Sequence, residues 1–245
     1  NILFNIMIYY NFSFLFFLFF ISSFILFYII YHIKDNKIPI SNSLILFWDI
    51  NCKKFIINYL NNNNISYKII DYQQDVSTTL QVGRNYFCLM NKHPQQFSNI
   101  SILLNSIYHL IDTLGTSSII GISTAGSIIF NIGDVVQFNS ATIFNYKEYS
   151  LDYNFIEAKN ILYKTSKFVL QPITDTKGFI NIHNNSIGEG QDEFITYIVS
   201  NHLNIPCLTL TGISDNDNKN EYDDGGGHLA SQNTILFLYQ TFNLL

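Results

Sequence analysis

Two acidic positions in the last quarter of the chain carry its clearest chemical signal. The run Ile205-Pro-Cys-Leu-Thr-Leu-Thr-Gly-Ile-Ser-Asp215 is apolar and β-branched, then stops at Gly-Ile-Ser-Asp before a polar loop. This predicts a buried parallel strand that delivers Asp215 to its carboxyl end, the edge where open α/β sheets build ligand clefts. A loop aspartate capping the next segment fits the same stretch, and both readings stay open. Upstream, Asp192-Glu193 heads the segment Glu193–Leu203, which places Phe194, Ile198 and Val199 inward as a helix does. Acidic residues in a first helical turn commonly just offset the helix dipole. Here they would also stand at a sheet edge beside Asp215, which is how a site for a sugar and a base is built.

Three other motifs have residue types suited to a ligand. Gly121-Ile-Ser-Thr-Ala-Gly-Ser127 reads as a turn after a buried strand, where small residues let backbone N–H groups approach a ligand. With the hydroxyls of Ser123 and Thr124 it suits an anion or a ribose hydroxyl, or it is only a tight connection. Gly133-Asp134 ahead of Val135-Val136 reads as a turn with a structural aspartate. Lys177-Gly-Phe-Ile-Asn181 sets Phe179 beside a glycine, free to stack on a flat ring or to serve as an ordinary core residue. Lys92-His93, before Pro94, reads as a surface pair. Cys52, Cys88 and Cys207 are far apart with no CxxC spacing, so no metal site or disulfide framework is expected. Cys207 reads as a small core residue.

The elements that must position these residues alternate along the chain. Ser43–Trp48, Tyr67–Tyr72, Asn85–Met90, Ser118–Ile122, Asp134–Phe138, Phe168–Ile173 and residues 206–210 read as strands. Cys52–Tyr59, Ile100–Leu114, Lys159–Ser166, Glu193–Leu203 and Leu229–Leu244 read as helices, with Gly115 closing the second. The alternation predicts an α/β class: a single domain over residues 43–245 with a central mixed, largely parallel sheet flanked by helices.

Ahead of it, residues 1–34 form a hydrophobic anchor or signal segment. From Ile2 to Ile33 there is no Asp, Glu, Lys or Arg, and Phe14–Tyr31 is almost wholly apolar. A spanning helix needs about 20 apolar residues and a secretory h-region about 7–15. The run is long for a cleaved signal and has no basic n-region, so an uncleaved N-terminal hydrophobic helix is favoured, with membrane contact through residues 2–33. Location is then membrane-anchored or in the secretory pathway. Lys34 and Lys37 argue weakly for a cytoplasmic domain. The 245-residue chain has 13 Lys and Arg against 18 Asp and Glu, and no basic cluster, which argues against nucleic acid as a partner. Asn64, Asn99 and Asn184 each open an Asn-x-Ser sequon, which matters only for a lumenal domain.

The order "GISTAGSIIFNIGDVVQF", "KGFIN", "QDEFITYIVSNHLNIPCLTLTGISD" resembles the nucleoside phosphorylase and methylthioadenosine/S-adenosylhomocysteine nucleosidase superfamily, from about Ile100 onward. The segments "IGDVVQFNSATIFNYKEY" and "LASQNTILFLYQTFNLL" are most similar to its plant bark and vegetative storage protein branch, whose members often carry secretory segments. The resemblance implies an α/β domain assembled as a homo-oligomer. It implies cleavage of the N-glycosidic bond of a purine nucleoside, or a 5′-thio-nucleoside, by water or phosphate. No cofactor is implied, and phosphate enters only as a co-substrate. On this resemblance Asp215 is the catalytic acid at purine N7, with Ser214 before it, and Asp192 holds the ribose hydroxyls. Thr124, Ala125 and Gly126 line the ribose and the nucleophile, Phe179 stacks on the base, and the Ile180 backbone reads its edge.

The chain also departs from the pattern. Asp192 is one methylene shorter than the family's glutamate, and Glu193 would take its place after a one-residue register shift. The early glutamate after the first strand has no clear counterpart, Asp49 being the nearest acidic residue. Gly212 takes the place of the arginine that precedes Ile-Ser-Asp, and Lys92-His93 only faintly matches the phosphorylase Arg-His phosphate motif. Arg84 is the sole arginine. These losses favour hydrolysis over phosphorolysis, the glycosyl transfer to phosphate. Two rivals remain: an inactive storage-type or nucleoside-binding homologue, and a membrane-tethered interaction module, which would explain residues 2–33 but none of the motifs.

Overall fold

The computed structural model describes residues 38–73, 75–144, 155–162, 171–176, 186–216 and 219–244. The elements below belong to the unit Pro39–Leu245. In chain order the first half comprises β1 (Ser43–Phe47), α1 (Ile50–Asn62), β2 (Lys68–Gln73), β3 (Ser77–Val82), β4 (Asn85–Met90), α2 (Ile100–Leu114) and β5 (Ser118–Gly126). There follow β6 (Val135–Val136), β7 (Phe138–Phe144), β8 (Phe155–Glu157), β9 (Gln171–Thr176), β10 (Glu189–Gly190), α3 (Glu193–Leu203), β11 (Cys207–Asp215) and α4 (Gly227–Thr241).

One sheet runs in the order β2-β3-β4-β1-β5-β10-β9-β7-β8, with β11 paired to β5 and β6 to β11. Its centre is parallel: β4 beside β1, β1 beside β5, and β5 beside β11. The side chains explain why. β1 and β11 are buried at every position and β5 at all but Thr124, the apolar-on-both-faces pattern of strands covered by helices. Parallel and antiparallel neighbours are equally numerous among the described pairs, so the sheet is the expected mixed one, with a parallel centre.

Helices α1 and α2 pack by single stripes, whereas α3 is buried all round from Glu193 to Ser200. α1 buries Cys52, Ile56 and Leu60, and α2 buries Leu103, Ile107, Leu110 and Ile111. Each such large side chain contributes roughly 1.5–3 kcal/mol, which outweighs the weak helix propensity of isoleucine. Asn99 caps the start of α2 and Gly115 ends it in the left-handed conformation at φ 61°.

Several sequence-based boundaries are corrected. Small residues at Gly121–Gly126 do not make a turn; they continue β5, because Cys207–Asp215 pairs with it along its whole length. A Cβ on Gly121 would lie 2.6 Å from Thr196 Oγ1, so the glycine is there to admit α3. Asp134–Phe138 splits into β6, antiparallel to β11, and β7, parallel to β9. Lys159–Leu162 is not helical. Cys207 N donates to Asn160 O and Leu162 N to Cys207 O, so this segment satisfies the outer edge of β11; residues 163–170 lie outside the described residues. The strand expected over Phe168–Ile173 is found as Gln171–Thr176. β3 is unanticipated, since its sequence STTLQV has the polarity of a loop. The last helix starts at Gly227 and stops at Thr241. Among the described residues no helix is long and apolar enough to cross a membrane, and the expected segment 1–34 lies outside them.

Candidate active site

The carboxyl ends of the neighbouring strands β4, β1, β5 and β11 converge on one cavity of about 240 Å³. Asp49 follows β1, His93 follows β4, Thr124–Gly126 end β5, and Ser214-Asp215 end β11; all of them line this space. This is the edge of an α/β sheet where ligands are bound.

Asp215 reaches it through a bulge. Ile213 pairs with Ala125, but the next pair is Asp215 with Gly126, leaving Ser214 as the extra residue. The bulge puts Asp215 instead of Ser214 opposite Gly126, re-aiming a side chain as bulges beside active sites do. Gly126 must lack a side chain here, because a Cβ would sit 2.5 Å from Asp215 Oδ1. Ser127 N donates to the Asp215 carbonyl at 2.9 Å, and the Ser214 hydroxyl donates to Asp215 Oδ2 at 2.7 Å. The aspartate is only 3% exposed.

Asp192 precedes the first turn of α3 but makes no side-chain cap. Its Oδ2 instead lies 3.1 Å from His93 Nδ1 and accepts the Ser123 hydroxyl at 3.1 Å. Its Oδ1, also buried, has no hydrogen-bond partner. Burial and the Glu193 charge push Asp192 up to about 7, against the opposing pull of His93 and Ser123. For His93, burial lowers the pKa, but the hydrogen bond and charge of Asp192, helped by Asp49, prevail and raise it. The two groups thus favour each other's charged forms. His93 is therefore not the surface residue its sequence context suggested. Ser123, expected to touch substrate, stands behind Asp192 and is not part of the cavity wall.

Glu193 is not among the residues that line the cavity. Its Oε1 accepts the Thr211 hydroxyl at 2.9 Å. Asp175, from β9, is its other neighbour and accepts Phe194 N at 2.6 Å. Burial, then the charge and hydrogen bond of Glu193, drive the Asp175 carboxyl well above its ordinary range.

Asp49 is tied on both oxygens. Oδ1 accepts Asn51 N at 2.6 Å, Cys52 N at 3.3 Å and the Ser231 hydroxyl at 3.1 Å. Oδ2 accepts the hydroxyls of Thr124 and Tyr222. Burial and Asp49 raise Tyr222, so its hydroxyl keeps its proton and donates. Tyr222 is held by glycine: a Cβ on Gly226 would collide with Ser214 O, and one on Gly227 with the Tyr222 ring. Neither Tyr222 nor the cavity role of His93 was anticipated. The Gly225-Gly-Gly227 run and the His before Pro94 were the available signals. Phe179 and Ile180 lie outside the described residues.

The wall is acidic. Asp49, Glu189, Asp192, Asp215 and Asp223 contribute carboxylates, His93 is the one basic side chain among the described lining residues, and no Lys or Arg joins it there. Lys53 turns its ammonium to the Met90 carbonyl. Among the described residues no three of His, Cys, Asp or Glu are placed to hold a metal ion.

This sheet has the fold of solved nucleosidase structures. No family model and no curated protein matches the sequence. Among solved structures, a mutant of Helicobacter pylori 5′-methylthioadenosine/S-adenosylhomocysteine nucleosidase, with 5′-methylthioadenosine in its active site, superposes with a TM-score of 0.60. It is 14% identical, over 82% of this chain and 97% of that one. Futalosine hydrolase of the same organism gives 0.60 at 15% identity, covering 81% of this chain and 96% of its own. The Streptococcus pneumoniae 5′-methylthioadenosine/S-adenosylhomocysteine nucleosidase, with a transition-state inhibitor, gives 0.60 at 14%, covering 81% and 97%.

Proposed function

We propose that this chain hydrolyses the N-glycosidic bond of a purine nucleoside or a 5′-thio-substituted relative. The observation that carries the proposal is the buried Asp215, set by a bulge on the wall of a cavity that Asp192 also lines. The nucleosidases of similar fold, one holding 5′-methylthioadenosine, support the substrate class.

Departure of the base leaves positive charge on the sugar and negative charge on the purine. Asp215 gives a proton to N7 as the C1′–N9 bond breaks, so the base leaves neutral. Asp192 holds one ribose hydroxyl and, ionised, offsets the positive sugar. Water adds to C1′ beside Thr124, and Asp49 takes its proton. The acidic wall disfavours phosphate as nucleophile, because a bound dianion there would meet carboxylates with no Lys or Arg to offset them. No metal or organic cofactor is needed.

The test incubates the intact chain with adenosine, inosine and methylthioadenosine and measures free base. We expect release with no phosphate added, and a loss of about 10²–10⁴-fold in Asp215→Asn. Tight binding without turnover would favour the storage-type or nucleoside-binding alternative, including the plant storage branch. Neither binding nor turnover would leave the tethered interaction module. Assembly as a homo-oligomer, and a membrane-anchored or secretory location through residues 2–33, are proposed from the sequence. For the second, detergent-dependent solubility that disappears when residues 1–34 are removed is the expected result.

A further inference from the structure

We propose that His93 is a sugar-reading specificity residue, which extends to a ribose hydroxyl the reach that the short side chain of Asp192 lacks. The inference rests on the nucleoside reading above and deepens it. His93 borders the cavity, with a side chain 27% exposed beside an Asp192 side chain only 1% exposed. A carboxylate so enclosed offers a ligand little surface of its own, room for one hydroxyl and not for two. The ring presents more, and it is bound to that carboxylate.

The hydrogen bonding divides the tasks. Nδ1 lies 3.1 Å from Asp192 Oδ2, which fixes the ring's orientation, and Ser123 holds the same oxygen from behind at 3.1 Å. The backbone N of His93 donates to Gln96 Oε1 at 2.9 Å, anchoring the residue at the head of the turn Pro94–Gln96. With Nδ1 against Asp192, the proposal assigns Nε2 to the ligand. An imidazole backed by a carboxylate is a stronger and better-aimed hydrogen-bonding group than a free one. The arrangement replaces one long acid by a short acid with an imidazole in front of it.

The experiment compares His93→Ala, His93→Gln and the double variant His93→Ala/Asp192→Glu on adenosine, 2′-deoxyadenosine and 3′-deoxyadenosine. For His93→Ala we expect KM for adenosine to rise roughly 10–100-fold, the value of one hydrogen bond to a charged group, with kcat changed less than about 3-fold. On the deoxynucleoside lacking the hydroxyl that His93 contacts, the same substitution should change KM less than about 3-fold. The Asp192→Glu change should recover most of the loss, because the longer acid reaches the hydroxyl itself, and His93→Gln should fall between. An unchanged KM in His93→Ala, or an equal loss on all three nucleosides, overturns this inference alone. If the unaltered chain cleaves neither these three nor inosine nor methylthioadenosine, the nucleoside reading falls and takes this one with it.

Discussion

Asp192 and Glu193 are adjacent in the chain and both buried, yet they have opposite surroundings. Asp192 faces the cavity, and its partner is a histidine that can carry the compensating charge. Glu193 faces inward, and its neighbour is a second carboxyl, Asp175, which burial and Glu193 drive well above its ordinary range. A carboxylate in contact with a cation and a cavity can change its ionisation with a ligand; one sealed against another carboxyl is a fixed strut. The strut has a task. Asp175 accepts Phe194 N, and Glu193 accepts Thr211 Oγ1 and, at 3.4 Å, Asp192 N. Together they fix the head of α3, and so the direction from which Asp192 approaches its histidine. Residue type says little here. Partner and access decide which carboxylate can do chemistry.

The comparison breaks most visibly in activity. Asp192→Asn removes the charge that offsets the sugar and unpairs His93; kcat/KM for nucleoside cleavage should fall roughly 10–100-fold, as for loss of one charged hydrogen bond. Glu193→Gln keeps a hydrogen-bonding side chain of the same length against Thr211 and Asp175, and should stay within about 3-fold. Equal losses would show that the sealed pair is also catalytic.

A second break concerns stability. Asp175 titrates higher folded than unfolded, where a carboxyl lies near about 3.9. The folded state therefore holds a proton that the unfolded chain releases, and stability falls as pH rises from about 3.9 toward the raised folded value. Each unit of that difference amounts to about 1.4 kcal/mol. Asp175→Asn carries no such proton. Urea unfolding followed across this range should show a flatter profile for the variant than for the unaltered chain, with the gap growing toward neutral pH. Parallel profiles would mean that folded Asp175 holds no extra proton.

How much of this could be read from the chain follows from how local each signal is. β11 and Asp215 were legible, because an unbroken apolar run ending in Ser-Asp is a one-segment pattern. Asp49 ends a similar run after β1, and its place at the sheet edge follows from the same rule, though its five hydrogen bonds do not. The bulge at Ser214 has no sequence mark, since it is a property of two paired strands. Gly121 and Gly126 were seen as turn residues because small residues commonly mean turns; here they make room for Thr196 and Asp215. His93 was misplaced because its partner is 99 residues away, and nothing near Pro94 announces that distance.

The finest distinction between the two acidic pairs is the direction in which each moves the pH profile. If Asp192 must be ionised to hold the sugar, kcat/KM falls on the acid side near its value of about 7. His93 and Ser123 pull that value down, while burial and Glu193 push it up. Asp49 and Lys53 act on His93 from α1 and its cap, and Asp175 lies against Glu193. Replacing His93 by Gln removes a lowering influence and leaves Glu193 in place, so the acid limb should move to higher pH. Glu193→Gln removes a raising influence and should move it to lower pH. Because the groups titrate together, the limb reports the cluster and not Asp192 alone, but the opposite signs survive that coupling. Shifts in the same direction would mean that Asp192 does not set the limb.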